Sequence, residues 1–353
     1  MTMTIPALDG HFWSHYPSIL RPLAPPTPSQ PGLSGGVVWR AETNAGPVAI
    51  RRFAPHQHLP STHAVHDHTT KARALGWIEI PQPLPNSHGG TLTDHGNHLW
   101  EITTWQPGEP AKFPIDDLRN GAAMRFIARW HSFWTRDKLG HNLQTASPDA
   151  VANRQAEWQR LTTGWHAQAA SAGMSNSPEP SESCPRLQLG HATPNNDPLR
   201  LAGRTAQAVK ARADRTEDHL HVLPPLLARE PKVYCHGDLH REHILFTDDD
   251  VTGFIDLSCR WDYAAADLAR WLSTTTEPNR WAEAVAWYRE VASLSPASER
   301  AIPLLAETGL VIAALRWKRW LLGPESERRF FPRPDLAYDR WRLIVERLEA
   351  AEL

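Results

Sequence analysis

One stretch constrains this chain more than any other: Val233-Tyr-Cys-His-Gly-Asp-Leu-His-Arg-Glu-His-Ile-Leu-Phe246, followed by Val251-Thr-Gly-Phe-Ile-Asp256. Two apolar runs, Ile244–Phe246 and Val251–Ile255, flank the acidic turn Asp248–Asp250, which is the pattern of a β-hairpin. Ahead of it lies a polar loop, His236–His243, dense in groups that move protons or bind metals. Asp256 closes the second strand. The hairpin therefore brings Asp238 and Asp256 near each other, where a carboxylate pair can act as a base and a metal ligand.

Composition narrows the setting. A length of 353 residues suggests about two domains, or one of two lobes, with ample sequence for a core. The net charge of -2 gives no basis for binding nucleic acid or a membrane surface. Cys184, Cys235 and Cys259 show no metal or disulfide spacing, so a reducing compartment fits and Cys235 and Cys259 read as small buried residues. The N-terminus lacks a basic region followed by an apolar core, and the apolar stretch near Leu310–Leu315 is too short to span a bilayer. A cytoplasmic protein is expected. Most of the 16 tryptophans are expected to pack in the interior, with one or two against substrate.

Residues 1–32 read as an irregular, proline-rich lead-in. Gly32, Gly35 and Gly36 then open a hairpin whose strands are Val37–Glu42 and Pro47–Phe53. Such glycines let backbone N–H groups approach phosphate oxygens, but an ordinary hairpin entry explains them equally well. Alternation puts Ala49 and Arg51 on one face of the second strand and Val48 and Ile50 on the other. A helix is expected over His63–Leu75, with strand ends at Trp77–Pro81 and Thr91–Thr93 and a strand from His98 into the Pro107-Gly108 break. In Asp116–Asp137, Leu118, Ala122, Phe126, Trp130 and Phe133 recur at helical spacing. Ala150–Gly173 is helical, 174–200 is a loop, and Leu199–Arg229 is helical up to a break at Pro224-Pro225. Beyond Asp256, helices are expected over Ala264–Thr274, Arg280–Ser293, Glu299–Leu322 and Leu336–Glu352. Pattern alone gives an α+β fold.

The opening stretch resembles the catalytic loop and metal-binding strand of the aminoglycoside phosphotransferase and choline kinase-like family. His236-Gly237-Asp238 and Ile255-Asp256 stand at the family's spacing, with His243 where the family has Asn. Trp261-Asp262-Tyr-Ala-Ala-Ala-Asp267-Leu-Ala269 is similar to its Gly-Asp-Pro-x-x-Asp-Leu-Ala. Val48-Ala-Ile-Arg51 resembles the strand that carries the family's phosphate-binding Lys, with Arg in its place; Arg keeps the charge in a longer, forked shape. The family's helical Glu partner for that Lys is missing, and Asp67 is the nearest substitute. Thr103–Gln106 resembles the hinge that meets adenine.

The resemblance implies a two-lobed, protein-kinase-like α+β fold. A nucleotide-binding lobe would span 33–106 and a larger helical lobe 107–353. It implies an ATP-dependent transfer of phosphate to the hydroxyl of a small molecule. Asp238 would be the base, His236 would brace its loop, and Asp256 would bind Mg²⁺. Gly35, Gly36, Ala49, Arg51, Thr104 and Gln106 would meet the nucleotide. Asp262 and Asp267 would fix loops through backbone hydrogen bonds, and His131 would be a packed structural histidine. For His243 three roles stand open: ligating a softer ion such as Mn²⁺, leaving one Mg²⁺ to Asp256, or weakening the site. Reduced dependence on a second metal is the favoured one. A non-catalytic, kinase-like binding module is the main rival. A helical zinc site on His236, His240 and His243 is poorly supported, because the segment contains Gly and runs into a strand. The expected partner is a small-molecule acceptor, without nucleic acid or membrane, for a monomer or homodimer. The acceptor itself is not encoded in any readable motif.

Overall fold

The structure, a computed structural model, describes residues 8, 10–29, 36–54, 59–134, 149–172, 197–323, 331 and 333–350. The N-terminal part is a five-stranded sheet of order β1-β2-β3-β5-β4, built from β1 (Thr27–Pro28), β2 (Val37–Thr43), β3 (Gly46–Arg52), β4 (Thr93–His95) and β5 (His98–Thr104). The alternation in β3 is realised: Val48 and Ile50 are buried on one face, while Ala49 and Arg51 are partly covered on the other. Helix α2 (Leu59–Ala74) follows β3.

The expected irregular lead-in is partly ordered. Gly10–Ser14 forms a short helix, α1, and Phe12, Trp13 and Tyr16 are buried with Trp39 and Trp100 in a core of their own. Phe12 meets Trp100 at 5.0 Å between ring centroids, and Trp39 stacks on Trp100 at 5.5 Å. Burying several large rings outweighs the cost of ordering a proline-rich segment. Residues 77–81, expected as a strand end, form no strand. Trp77 instead packs edge-on against Phe126, Trp130 and Phe133.

The helical part begins after the short strand β6 (Glu109–Pro110) with α3 (Asp117–Phe133), whose N-terminus Asp116 caps by accepting the Arg119 N–H. Leu118 falls on its exposed side, and Phe126, Ile127 and Trp130 face the core. Then come α4 (Ala150–Ala172), α5 (Pro198–Lys210) and α6 (Ala213–Leu227). The loop expected over 174–200 lies mostly outside the described residues. Pro224 and Pro225 do not break α6 but sit inside its last turns. Pro224 has no N–H for the Leu220 carbonyl, and the Gln155 side chain of α4 donates to that oxygen instead, at 2.9 Å. The remaining helices are α7 (Ala264–Thr275), α8 (Trp281–Arg289), α9 (Pro296–Leu322) and α10 (Pro334–Ala350).

Two small sheets join these parts. The expected hairpin is β8 (Ile244–Thr247) and β9 (Asp250–Phe254), with β6 added on the β8 edge. β7 (Lys232–Cys235) pairs with β10 (Arg260–Tyr263), a strand the sequence did not suggest. The main core gathers Phe126, Trp130, Tyr234, Phe254 and Trp271, and a second gathers Trp158, Val209, Val311 and Trp341. The tryptophans thus serve largely as packing. No helix among the described residues is long and apolar enough to cross a membrane.

Candidate active site

β7 delivers the chain into a loop that is not helical, so its histidines do not form a helical zinc face. Gly237 has φ +88°, a left-handed conformation that a side chain would strain. Asp267, in the first turn of α7, fastens the loop by accepting the N–H groups of His236 at 2.6 Å and Gly237 at 3.0 Å. His131 donates to the same carboxylate from Nε2 at 3.2 Å, and its Nδ1 accepts from the Tyr288 hydroxyl. Burial raises the cost of the Asp267 charge, yet His131 and the Gly237 N–H hold its pKa below the usual carboxylate value. Asp262 accepts the backbone N–H groups of Ala150 and Tyr263.

His236 is fully buried and ties the loop to the strand beyond it. A carbonyl can only accept, so its Nε2 carries the proton donated to the Ile255 oxygen at 2.9 Å. Its Nδ1 accepts the Asp238 N–H at 3.3 Å, and its own carbonyl accepts from Ser258 and Cys259. Burial, then the neighbouring His243, lowers its pKa to about 4. His243 lies between His236, stacked at 5.1 Å, and His240 at 3.7 Å. Nδ1 of His243 donates to the Asp238 carbonyl at 2.7 Å, and its Nε2 lies 3.6 Å from Asp256 Oδ2.

Asp256 lies past the end of β9 at φ +60°, uncommon for a residue with a side chain. Its carboxylate is 48% exposed, open toward solvent on one side, and Arg51 Nη1 stands 2.7 Å from Oδ1. That guanidinium, ahead of the opposing effect of burial, drives the Asp256 pKa well below the carboxylate range. Arg51 in turn is held on its other side by Glu101 at 3.4 Å, directly across the β3–β5 register. Glu101 accepts from His66 of α2 at 2.6 Å, and His66 meets the Thr91 hydroxyl at 2.7 Å. Asp67 is exposed and does not take the role expected of it. Glu101 was missed in sequence; its one signal was a charged residue between Trp100 and Ile102 in an apolar strand.

Asp238 is about half exposed, and Arg270 Nη2 lies 3.2 Å from its Oδ1. The structure thus brings Asp238, Asp256, His236, His243 and Arg51 together. One ligand atom each of Asp238, His240 and His243 lie within 4.8 Å of one another. Thr104 and Gln106 are bound up in the segment itself: Gln106 Nε2 donates to Thr104 Oγ1 at 3.2 Å, and that hydroxyl accepts the Gln82 N–H at 2.9 Å. The Trp105 N–H donates to the Pro47 carbonyl. Ala49 shares the Arg51 face of β3, and Gly36 leads into β2. Gly35 lies outside the described residues.

A model of the phosphotransferase enzyme family matches residues 27–302. No curated protein matches the chain in sequence. Among solved structures, an aminoglycoside phosphotransferase from Alicyclobacillus acidocaldarius is 16% identical with a TM-score of 0.57, covering 96% of this chain and 92% of that one. A spectinomycin phosphotransferase in complex with ADP and spectinomycin is 11% identical, TM-score 0.61, with 93% of each chain covered. An amicoumacin kinase with AMP-PNP and Ca²⁺ is 12% identical, TM-score 0.57, covering 95% of this chain and 91% of that one. These likenesses establish the two-lobed, kinase-like fold.

Proposed function

This chain belongs to the phosphotransferase enzyme family, and from that premise we propose that it transfers the γ-phosphate of ATP to the hydroxyl of a small molecule. The observation that carries the reading is the convergence on His243: its ring bonds the backbone of Asp238 and faces the carboxylate of Asp256, which Arg51 meets from the sheet. Solved neighbours bound to ADP, or to AMP-PNP with Ca²⁺, support a nucleotide donor and a divalent cation. On this reading the nucleotide lobe spans 33–106 and the helical lobe 107–353.

The donor set fits a divalent cation. Asp256 supplies a hard oxygen donor in Oδ2, the oxygen that Arg51 does not hold, and Nε2 of a neutral His243 would stand beside it as a second donor. Oxygen ligation suits Mg²⁺, and the added imidazole extends the choice to Mn²⁺. A cation held by Asp256 and His243 would supply positive charge against the phosphate oxygens. The chain's own groups do the rest. Glu101 holds Arg51 at Nε and Asp256 holds it at Nη1, which fixes the guanidinium beside the Asp256 carboxylate and leaves Nη2 to meet a phosphate oxygen. His236, neutral and bonded at both ring nitrogens, keeps Asp238 in place. Asp238 orients the acceptor hydroxyl and takes its proton as the new O–P bond forms and the bond from the γ-phosphorus to the bridging oxygen breaks, releasing ADP. Gly36 and Ala49 flank the nucleotide, with Thr104 and Gln106 shaping the hinge.

ATP with Mg²⁺ or Mn²⁺ is expected to raise the Tm of the protein, and Asp256→Ala to remove the metal-dependent part. Asp238→Asn should keep nucleotide binding and lose ADP formation by roughly a hundredfold or more. An unaltered metal shift in the Asp256 variant would refute the ligand role. If the wild type binds nucleotide but forms no ADP with any acceptor, the binding-module reading holds instead.

A further inference from the structure

Several guanidinium groups that the proposed transfer does not use stand at or near the loop of Asp238. Arg270 touches Asp238. Arg260 of β10 lies over Gly237, so close that a Cβ there would stand 2.7 Å from its Nε. Arg154 of α4 reaches toward α9, where Gly309 leaves room: a Cβ at 309 would stand 3.5 Å from Nη2. Arg154 Nη1 donates to the Ala150 carbonyl at 3.1 Å, and its buried Nε makes no hydrogen bond. Ala150, which Arg154 bonds, donates its own N–H to Asp262 at 2.9 Å, so Arg154 is anchored against β10, the strand that carries Arg260. Burial lowers the Arg154 pKa to about 10, with Asp262 opposing and the neighbouring arginines adding to the fall.

The acids nearby are engaged elsewhere. Asp262 and Asp267 accept backbone N–H groups. Glu157 is forked by Arg316, and Glu242 by Arg340. Among the described residues, Arg154 and Arg260 have no carboxylate within ion-pair distance. A buried cation with no carboxylate in direct contact is costly, and a ligand anion offsets that cost. A cationic acceptor would meet repulsion here.

We propose that the acceptor is an anionic hydroxy compound, whose carboxylate or phosphate is held by Arg154 and Arg260 while its hydroxyl meets Asp238. This rests on the reading of Asp238 as the residue that receives the acceptor. The test uses the full chain with ADP and Mg²⁺ present, and probes sharing one hydroxylated skeleton: glycerol 3-phosphate, glycerate, glycerol and ethanolamine. Glycerol 3-phosphate or glycerate should raise the Tm, while glycerol and ethanolamine should not; which anion shifts it more separates phosphate from carboxylate recognition. Arg260→Gln and Arg154→Gln should each weaken that binding about tenfold to a hundredfold, the loss of one charge-assisted bond, and leave ADP affinity unchanged. Arg260→Lys should restore part of it. Should Arg154→Gln fail to fold, the partly exposed Arg260 site decides alone. Absence of a shift with both anions, an equal shift with ethanolamine, or full binding by Arg260→Gln overturns the proposal. A protein that gains no stability from ADP itself refutes the phosphotransferase reading instead.

Discussion

His236 is a histidine that folding keeps neutral. Its folded pKa, about 4, lies below the ordinary 6.5, so the unfolded chain binds its proton first as pH falls. The stability it contributes is complete above pH 6.5 and is lost between about 6.5 and 4. A shift of that size corresponds to about 3 kcal/mol. His240 is lowered by burial as well and adds to the same acid loss. His236→Gln should flatten urea midpoints measured from pH 7 to 4.5, while the wild type declines; parallel curves would refute the assignment. The pair formed by Arg51 and Glu101 teaches a different lesson. Arg51 was legible from Val48-Ala-Ile-Arg51, because alternation within one strand fixes a face. Glu101 was not, because only the β3–β5 register sets it opposite Arg51.

At the level of elements, the short strand β6 fastens the β8–β9 hairpin to the segment leaving β5. Gly108, just before it, has φ +102°, and a Cβ there would stand 2.5 Å from Thr252 Oγ1 and 2.6 Å from the Phe246 carbonyl oxygen. Gly108→Ala combines a disfavoured backbone with a clash against main chain, and is expected to cost about 1–3 kcal/mol or more. Chemical denaturation would show a lower midpoint; an unchanged midpoint would mean the turn relaxes freely. The hairpin, α3 and the four helices after Asp256 were readable because period two and period 3.6 are local signals. β10 was not, since Arg260–Tyr263 becomes a strand only by pairing with β7, and Pro224-Pro225 did not end α6 because Gln155 from another helix served the freed carbonyl.

Across the whole molecule, the N-terminal sheet owns an aromatic core separate from the two that hold the helices. Phe12 is wholly buried in it. Phe12→Ala is expected to cost about 3–5 kcal/mol through lost burial and the cavity left behind. Thermal unfolding should show it, and a change below about 1 kcal/mol would mean α1 is dispensable. Residues 10–20 therefore pack into the core of the sheet rather than standing apart from it. Arg51 and Asp256 meet at 2.7 Å, one from the sheet and one from the segment after the hairpin, so the site depends on how the parts are set together.

Composition gave no basis for a nucleic-acid surface; local spacing put Asp238, His236, His243 and Asp256 in one hairpin unit, and the resemblance to the phosphotransferase family pointed to Arg51. Those features are carried by neighbours in the chain, where a few residues suffice to set the geometry. The tertiary structure decided what distance in the chain conceals. It set Glu101 and His66 behind Arg51, Arg270 against Asp238, and Arg154 and Arg260 without an ion-paired carboxylate among the described residues. A buried charge takes its meaning from whichever groups folding brings beside it, and no window of sequence contains them both.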